Sequence, residues 1–522
     1  MSTPTGPPPR FNLTRYCLDA ARERPEETAL LVVHGREGLA GLEAGTDAGV
    51  ERWSFGELDD AVRAVAAGLL EAGLTPGDRV MIRLGDTSDY AIVHFGAMAA
   101  GLVSLPSSAQ LTRSEAAFLL EDSGAAAIVD DGDLEAPGIL RFTPTDVARR
   151  RASDRRIPYA DTAADDPAFL VYTSGTTSRP KGVLHAHRSA WGRRPMYDGW
   201  YGIGSDDVVL HAGAFNWTYT LGVGLTDPWA CGARAVVVTG ERDRSLWGRL
   251  IRATDATMFA AVPGVYRQML AADPEGLAAL RGTRFRHGLV AGEALPQATR
   301  SAWESATGTP LFEALGMSEI STFVSSSPSV PVRPGSPGRA QPGRRIAVLG
   351  PDDRELPRGD IGRLAVSADD PGLMLGYWNR PDETPIRQGW FVTSDLVSLD
   401  EDGYVTYHGR ADDVITAGGY RVSPDEVEAA LSHVDGVLEV AVTAMQVKTD
   451  VSVIAAFVVP TPEADEADLR GALEVAAADL AAYKRPREVV FVPHLPRTRN
   501  GKLRRRELSA GPPGGTTPPR TE

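Results

Sequence analysis

The amino-acid sequence predicts an α/β protein: a large N-terminal α/β domain of several lobes with parallel sheets, followed by a small α+β domain. Three observations support this prediction. The chain has 522 residues, whereas a single core stops growing at roughly 250–300 residues, so at least two domains are expected. Helical and strand patterns alternate up to about Arg410, which is typical of parallel sheets. After Arg410 the pattern changes.

The alternation is clearest near residue 54. Residues 54–57 read SFGE, a capping-box pattern that opens a helix, and Gly73 is a candidate C-cap. The apolar face of this helix carries Leu58, Val62, Val65 and Leu69. Further helices are predicted at 91–100 and 113–122, and strands at 80–84, 102–105, 125–129, 168–172, 208–211, 235–238 and 289–291.

Residues 411–522 predict the second domain. Helices are expected at 424–432 and 469–480, with strands at 439–444 and 451–459 between them. This material suffices for a small α+β domain. The predicted domains are therefore 1–410 and 411–522.

Composition limits the possible partners. The formal charge of −15 argues against a nucleic-acid or anionic-membrane partner, because the long-range field repels phosphate. The longest apolar stretch, near 97–106, is far shorter than the ~20 residues of a membrane span. Only Cys17 and Cys231 are present, without metal-type spacing, and a reducing cytoplasm fits. A homodimer is compatible with the sequence.

Lysine usage singles out a few positions. Of the 54 basic residues only four are lysine, namely Lys181, Lys448, Lys484 and Lys502. Codon bias explains the abundant arginine but not which lysines remain. Since lysine is a compact charge on a thin stem, a retained lysine is a candidate for a site too narrow for guanidinium. Lys181 and Lys502 lie next to glycine, which strengthens their candidacy.

A hydroxyl-rich loop contains the first of these lysines. Residues 172–183 read YTSGTTSRPKGV. Backbone N–H groups and hydroxyls here can surround phosphate oxygens, and the lysine adds charge. The candidate phosphate residues are Thr173, Ser174, Gly175, Thr176, Thr177 and Lys181. The order is not that of a Walker A loop. Richness in serine, threonine and glycine alone would favour a mobile surface loop, and only the full string favours phosphate binding.

The loop resembles the T-S-G-T-T-G-x-P-K-G element of the AMP-forming superfamily of acyl- and aryl-CoA synthetases, adenylation domains and luciferases, with Ser178 replacing the last loop glycine. Further elements follow in the family order. GEALP at 292–296 resembles the segment beside adenine and includes Glu293. ALGMSE at 314–319 resembles the segment that binds ATP and Mg²⁺. It includes Ala314, Leu315, Gly316, Ser318 and Glu319.

The C-terminal elements continue this resemblance. WFVTSD at 390–395 implies that Asp395 binds the ribose hydroxyls, and Arg410 is expected to contact ribose or phosphate. Asp412 falls at the hinge of the family. Gly418, Gly419, Tyr420 and Arg421 match the loop that meets the thiol acceptor. PRTRNGK at 496–502 ends in Lys502, the predicted adenylation lysine.

The resemblance implies an ATP-dependent ligase that forms an acyl-adenylate and pyrophosphate and then a CoA thioester. The implied cofactors are ATP, Mg²⁺ and CoA. Catalytic roles fall to Lys502, Glu319 and Ser318, with Glu319 as the metal ligand.

Residues 211–222 read HAGAFNWTYTLG and occupy the acyl-pocket region of the family. The predicted pocket residues are Phe215, Asn216, Trp217, Leu221, Ala291, Gly292 and Met317. The string resembles the benzoate, aminobenzoate and cyclohexanecarboxylate CoA-ligase branch. An aromatic or alicyclic monocarboxylate is therefore predicted, with medium-chain or polycyclic acids as alternatives, and single rings here can also be core.

Three other functions stay open at this point. A stand-alone acyl-AMP ligase would pass its product to a carrier-protein phosphopantetheine or to a separate enzyme. A non-catalytic nucleotide-binding protein would not need Lys502, Asp395 and Glu319. A luciferase-like oxygenase would use the same adenylation site, and oxygen uptake would reveal it.

Overall fold

The computed structural model describes residues 6–132, 134–173, 180–240, 243–411, 415–417, 420–422, 424–448, 451–478, 480, 484–497 and 503–509. It divides into two compact units. Unit 1 comprises residues 1–345 and 366–391, and unit 2 comprises 346–365 and 392–522. The predicted boundary at 410/411 stays a prediction, since Asp412 lies outside the described residues.

The strands are β1 (Thr28–His34), β2 (Val50–Ser54), β3 (Arg79–Arg83), β4 (Val103–Pro106), β5 (Ala127–Asp130), β6 (Leu140–Phe142), β7 (Pro167–Thr173), β8 (Lys181–Ala186), β9 (Val208–His211), β10 (Arg234–Thr239), β11 (Met258–Ala261), β12 (His287–Ala291), β13 (Leu311–Met317), β14 (Ser321–Ser325), β15 (Gly338–Ala340), β16 (Ile346–Leu349), β17 (Gly362–Ser367), β18 (Gly376–Tyr377), β19 (Ile386–Arg387), β20 (Trp390–Leu399), β21 (Tyr404–Arg410), β22 (Ile415–Ala417), β23 (Tyr420–Val422), β24 (Val437–Lys448), β25 (Val451–Pro460) and β26 (Glu488–Phe491).

The α-helices are α1 (Leu13–Cys17), α2 (Gly35–Glu43), α3 (Phe55–Glu71), α4 (Ser88–Ala99), α5 (Arg113–Ser123), α6 (Pro144–Arg151), α7 (Thr218–Leu221), α8 (Asp227–Ala230), α9 (Trp247–Ala253), α10 (Pro263–Ala272), α11 (Pro274–Ala278), α12 (Gln297–Thr307), α13 (Pro424–Leu431), α14 (Glu466–Ala477) and α15 (Arg505–Ser509).

Unit 1 contains two sheets. One runs β15-β14-β13-β12-β11-β9-β10-β1-β2 and the other β18-β8-β7-β4-β3-β5-β6. The central strands from β13 to β1 are parallel, as predicted, whereas β14 and β2 pair antiparallel at the margins. In the second sheet β7 and β8 also pair antiparallel. The α/β prediction is thus confirmed, with mixed rather than purely parallel sheets.

The helices of unit 1 begin where side chains satisfy their free N–H groups. The predicted capping box is present at α3, where Ser54 and Glu57 bond each other's backbone N–H. Helix α4 starts after Thr87, whose side chain accepts from Tyr90 N, and all its residues except Asp89 are buried. A helix that is apolar on every side belongs inside a core. This core joins α3, α4 and the inner faces of β1 and β3.

In unit 2, strands run in the order β16-β17-β20-β21, β22 pairs with β23, and β24-β25-β26 form a small sheet. Helices α13 and α14 bury Val427, Leu431, Leu469 and Leu473 with Val442, Ile454 and Val458 of that sheet. The C-terminal segment therefore has its own core, as expected for the small α+β domain that the helix and strand pattern predicted.

Candidate active site

The hydroxyl-rich loop joins two paired strands of unit 1. Thr173 ends β7, Lys181 begins β8, and the two residues are opposite each other in the antiparallel register. Because both strands belong to a seven-stranded sheet, the ends of the loop are held by that sheet. Ser174, Gly175, Thr176 and Thr177 lie outside the described residues.

Lys181 lies beside acidic and aromatic groups. Its Nζ is 2.7 Å from Oε2 of Glu383 and 5.3 Å from the ring centroid of Tyr377. The hydroxyl of Tyr377 donates to Oε1 of Glu319 at 2.7 Å. The hydrogen bond with Lys181 lowers the pKa of the Glu383 carboxyl. Two predicted residues, Lys181 and Glu319, are thus brought together although 138 positions separate them.

The turn after β13 carries Ser318 and Glu319. Gly316 lies so close to β14 that an added Cβ would be 2.4 Å from the Ser321 carbonyl oxygen; only glycine therefore allows this approach. The Ser318 carbonyl accepts a hydrogen bond from His185 Nε2 at 2.8 Å, and the Glu319 carbonyl accepts one from Met374 N at 2.8 Å. These bonds hold the turn against β8 and against the segment that precedes β18.

His185 is a neutral donor in this arrangement. The ring is buried and stacks on Phe169 at 4.7 Å with an interplanar angle of 14°. Burial lowers the pKa of His185 to about 4, so the ring is uncharged near pH 7. Since a carbonyl can only accept, Nε2 carries the proton. His185 therefore supports the Ser318 turn without adding charge.

The predicted acyl region lies at the carboxyl ends of the parallel strands. Trp217 precedes α7, and Gly292 follows β12 with φ of 99°. A Cβ on Gly292 would lie 3.4 Å from Cη2 of Trp217 and 3.5 Å from Cγ1 of Val262. Trp217 also packs edge-on against Tyr219, with centroids 5.2 Å apart. Trp217 and Gly292 are thus neighbours, as a shared pocket requires, and Ala291 ends β12 beside them.

The remaining pocket candidates differ in burial. Phe215 and Leu221 are 2% and 3% exposed in the main core, and Phe215 packs against Tyr90 with centroids 5.7 Å apart. Their role in a pocket stays a prediction. Asn216 and Met317 are half-buried, and Asn216 Oδ1 has no hydrogen-bond partner among the described residues. A buried acceptor of this kind suits a polar ligand atom.

A buried ion pair lies next to the candidate adenine residues in the sequence. Leu295 N, in the segment containing Glu293, donates to Oε1 of Glu313 at 2.9 Å, and Arg300 lies 3.1 Å from Oε2. Burial raises the pKa of Glu313. Ala314 and Leu315 follow on β13, directly opposite Ser325 and Val324. The ion pair fixes the Glu293 segment to the strand that bears the next motif.

Two predicted ribose residues meet in unit 2. Asp395 on β20 is directly opposite Arg410 on β21. Its carboxylate accepts from the Tyr407 hydroxyl at 3.3 Å, and its backbone N–H donates to Thr393 Oγ1 at 3.1 Å. The backbones of Tyr420 and Arg421 lie in β23, paired with Ala417 and Thr416. Asp412, Gly418, Gly419 and Lys502 lie outside the described residues.

Sequence reasoning did not identify Tyr377 and Glu383. Both lie far along the chain from Lys181, within GYWNRPDET at 376–384. No spacing rule connects a tyrosine with a lysine almost two hundred positions earlier. The only local signal was an acidic turn after Pro381, and such turns are usually solvated.

Comparisons with known proteins identify the family. The profile of the AMP-binding enzyme family matches residues 18–378, and that of the AMP-binding enzyme C-terminal domain matches 426–502. The chain belongs to the AMP-binding enzyme family. Its described helices include none that is long and apolar enough to cross a membrane.

Named relatives of this AMP-binding enzyme include aryl-CoA ligases. The 3-hydroxybenzoate–CoA ligase of Aromatoleum sp. (strain CIB) is 30% identical over 88% of this chain and 92% of the relative. The benzoate–CoA ligase of Thauera aromatica is 32% identical over 91% and 94%. A solved benzoate CoA ligase from Burkholderia xenovorans LB400 superposes with a TM-score of 0.83 at 28% identity, covering 96% of this chain and 100% of that structure.

These findings confirm the predicted family and branch. The chain is an AMP-forming acid–thiol ligase, which activates a carboxylic acid with ATP and transfers the acyl group to a thiol. The family uses ATP and CoA. A stand-alone ligase for a carrier protein is not favoured by these relatives. A homodimer and a cytoplasmic location stay predictions from the sequence.

Proposed function

We propose that this AMP-binding enzyme converts an aromatic or alicyclic monocarboxylic acid to its acyl-adenylate and then to the CoA thioester. The observation that carries the acid class is the contact of Trp217 with Gly292, since an indole over a residue without a side chain leaves a flat apolar wall. The named activities of the benzoate and 3-hydroxybenzoate ligases support the same class.

The first step forms a mixed anhydride. A carboxylate oxygen attacks the α-phosphorus of ATP, the bond to the bridging oxygen breaks, and pyrophosphate leaves. An anion approaches a polyanion, so positioning and charge neutralisation are the main contributions the protein can make. Lys181 would bind the β- and γ-phosphates, and Lys502 would bridge the carboxylate and α-phosphate. Thr173 and Ser318 would add hydroxyl donors, and Asp395 would accept from the ribose.

Glu319 is the proposed ligand of Mg²⁺. The ion commonly uses one or two carboxylates together with substrate phosphates and water, so a single carboxylate beside the phosphate lysine fits it. Among the described residues there is no group of three or more acidic, histidine or cysteine side chains that could hold a metal ion. Bound Mg²⁺ would offset the phosphate charge, while Tyr377 holds one carboxylate oxygen of Glu319.

The second step requires that other residues replace Lys502 beside the acyl-adenylate. We propose that rotation about Asp412 withdraws Lys502 and brings in the loop of Gly418, Gly419, Tyr420 and Arg421. The thiol of CoA then attacks the acyl carbonyl, and AMP leaves with the bonding electrons. The strong similarity over both domains to CoA ligases supports this step.

The test is acid-dependent exchange of ³²P-pyrophosphate into ATP. Benzoate, 3-hydroxybenzoate and cyclohexanecarboxylate should support exchange, whereas malonate and acetate should give little. The predicted pocket residues include no cation to pair with the second carboxylate of malonate, and acetate fills little of the pocket. CoA should then yield the thioester, with an isolated phosphopantetheine carrier as the comparison acceptor. Exchange with acetate but none of the cyclic acids contradicts the acid class, and a thioester on the carrier but not on CoA contradicts the acceptor.

A further inference from the structure

Residues 376–383 are fixed to the strand that follows the phosphate loop. Tyr377 and Gly376 of β18 pair antiparallel with Val183 and Leu184 of β8. The backbone of Trp378 donates to the Gly182 carbonyl at 2.8 Å, and that of Leu375 to Leu184 at 2.7 Å. This segment therefore has a defined register against Lys181, the first residue of β8.

The residues that precede this segment in the chain are also anchored. Arg344 donates to both carboxylate oxygens of Asp370, at 2.8 and 2.9 Å, and to the Gly192 carbonyl at 2.6 Å. Asp370 in turn accepts from Gly372 N at 2.8 Å. These groups are buried. The chain that leads into residue 376 is thus held by a charge-assisted network, which is stronger than neutral hydrogen bonds.

Tyr377 contacts both charged groups of the predicted phosphate site. Its hydroxyl donates to Glu319 at 2.7 Å, and its ring lies 5.3 Å from the ammonium of Lys181. A phenol is a neutral donor, so it orients the carboxylate without cancelling its charge. The ring face attracts the ammonium. One side chain thus constrains a cation and an anion that act on the same substrate.

Glu383 makes an ion pair with the same lysine. The pair is 2.7 Å long, and 22% of the Lys181 side chain and 46% of the Glu383 side chain are exposed. A partly exposed pair of this kind contributes little to stability. The pair instead affects phosphate binding. A phosphate oxygen that binds the Lys181 ammonium would lie next to the Glu383 carboxylate, and like charges repel.

We propose that residues 376–383 tune the phosphate site: Tyr377 is a positioning residue for Glu319 and Lys181, and Glu383 competes with ATP phosphate for Lys181. This inference rests on the proposed roles of Lys181 and Glu319. It predicts opposite effects from two conservative substitutions on one short segment, which a general loss of structure cannot produce.

The first test is Tyr377→Phe in the full-length enzyme, assayed by pyrophosphate exchange. The change removes the hydroxyl and keeps the ring. Losing one hydrogen bond to a charged group should lower kcat/KM for MgATP about tenfold, with a lower kcat and a higher Mg²⁺ concentration for half-maximal rate. The matched control is Tyr172→Phe. Tyr172 lies on β7, the strand before the loop, and the change removes its similar 2.6 Å hydrogen bond to Asp122. Equal Mg²⁺ dependence in both variants overturns the role of Tyr377.

The second test is Glu383→Gln. Removing the competing charge should lower KM for ATP by about threefold, with kcat nearly constant, because repulsion of the incoming phosphate is relieved. Asp382→Asn is the control, since it removes a neighbouring charge on the same turn without the contact to Lys181. An unchanged or higher KM for Glu383→Gln overturns the competition.

Lys181→Ala separates these ideas from the proposed function. If this variant exchanges pyrophosphate like the unmodified enzyme, the assigned phosphate role of Lys181 fails. If it loses exchange while Tyr377→Phe and Glu383→Gln match their controls, the function stands and the inference about residues 376–383 is wrong.

Discussion

At the residue scale, buried histidines make the stability of the fold depend on pH. His94 bonds Ser104 Oγ through Nδ1 at 2.7 Å, and burial lowers the pKa of its ring to about 3. Burial also lowers the pKa of His185 and His187 to about 4. His187 accepts from Leu13 N at 3.0 Å, which requires an unprotonated Nδ1. The fold thus requires neutral imidazoles at several interior positions.

We expect the free energy of unfolding to fall as pH drops below about 6.5, because the unfolded chain binds protons there and the folded histidines do not. Above that pH both states are neutral, and the stabilisation is complete. When the pH falls from 7 to 5, the free energy of unfolding of the His94→Gln variant should decrease by about 2 kcal/mol less than that of the unmodified protein. Urea unfolding at both pH values measures this. The control is exposed His433→Gln, and an identical pH dependence in His94→Gln would contradict the prediction.

At the element scale, close backbone contacts decide how neighbouring segments pack. The turn at Trp191–Arg193 touches the chain at residue 372, and a Cβ on Gly192 would lie 2.1 Å from Gly372 N. Backbone atoms on both sides leave no side chain that could move away. The contact can therefore form only with glycine at position 192.

Gly192→Ala should destabilise the protein by about 3 kcal/mol, because two backbone segments must separate and the bond from Arg344 to the Gly192 carbonyl is strained. Gly204→Ala is the matched control: no atom lies within 4 Å of its Cβ position, so a change within about 0.5 kcal/mol is expected. The midpoint of thermal unfolding compares the two. A fully stable Gly192→Ala protein would show that this contact yields easily.

Much of the architecture followed from the sequence because local signals coincided. The capping box at Ser54 and the strand at 208–211 are where the pattern placed them. Helix α4 begins at Ser88 rather than near 91, because the cap is Thr87 and Ser88 is buried. Antiparallel pairing of β8 was not predictable, since it depends on the loop turning back rather than crossing over.

The candidate site was predictable only in part. Lys181 and Glu319 were found through their motifs, and the structure brings them together. Tyr377 and Glu383 complete the group through tertiary contacts alone. The burial of the pocket candidates was also not predictable from the sequence. Phe215 and Trp217 are two residues apart, yet Phe215 is buried in the core and Trp217 contacts Gly292. Periodicity could not separate them in a stretch outside regular helix and strand.

At the scale of the whole molecule, the predicted functions are distributed over two units. Lys181, Glu319 and Trp217 belong to unit 1, whereas Asp395 and Arg410 belong to unit 2, and Lys502 follows them in the sequence. An enzyme so divided can use different residues in successive steps. The proposed division of labour assigns Lys502 to adenylation alone.

Lys502→Ala should therefore reduce acid-dependent pyrophosphate exchange at least 100-fold, the order of effect expected when a preorganised charge at a developing anion is lost. Thioester formation from supplied acyl-AMP and CoA should be largely retained. Single-turnover assays of each half-reaction measure both rates. Lys448→Ala, at a lysine without an assigned role, serves as the control. Unimpaired exchange in Lys502→Ala, or equal loss of both half-reactions, would contradict the assignment.

The scarcity of lysine has a practical consequence for chemical probing. An amine-acylating reagent can modify only four side chains, and a lysine-specific protease cuts the chain only after residues 181, 448, 484 and 502. Acylation blocks the cut, so each missing cleavage reports one position. If ATP protects residue 181 from acylation, relative to residue 448 in the same peptide map, the extent of protection would measure how much nucleotide is bound beside Glu383 and Tyr377. No catalytic turnover is needed for this measurement.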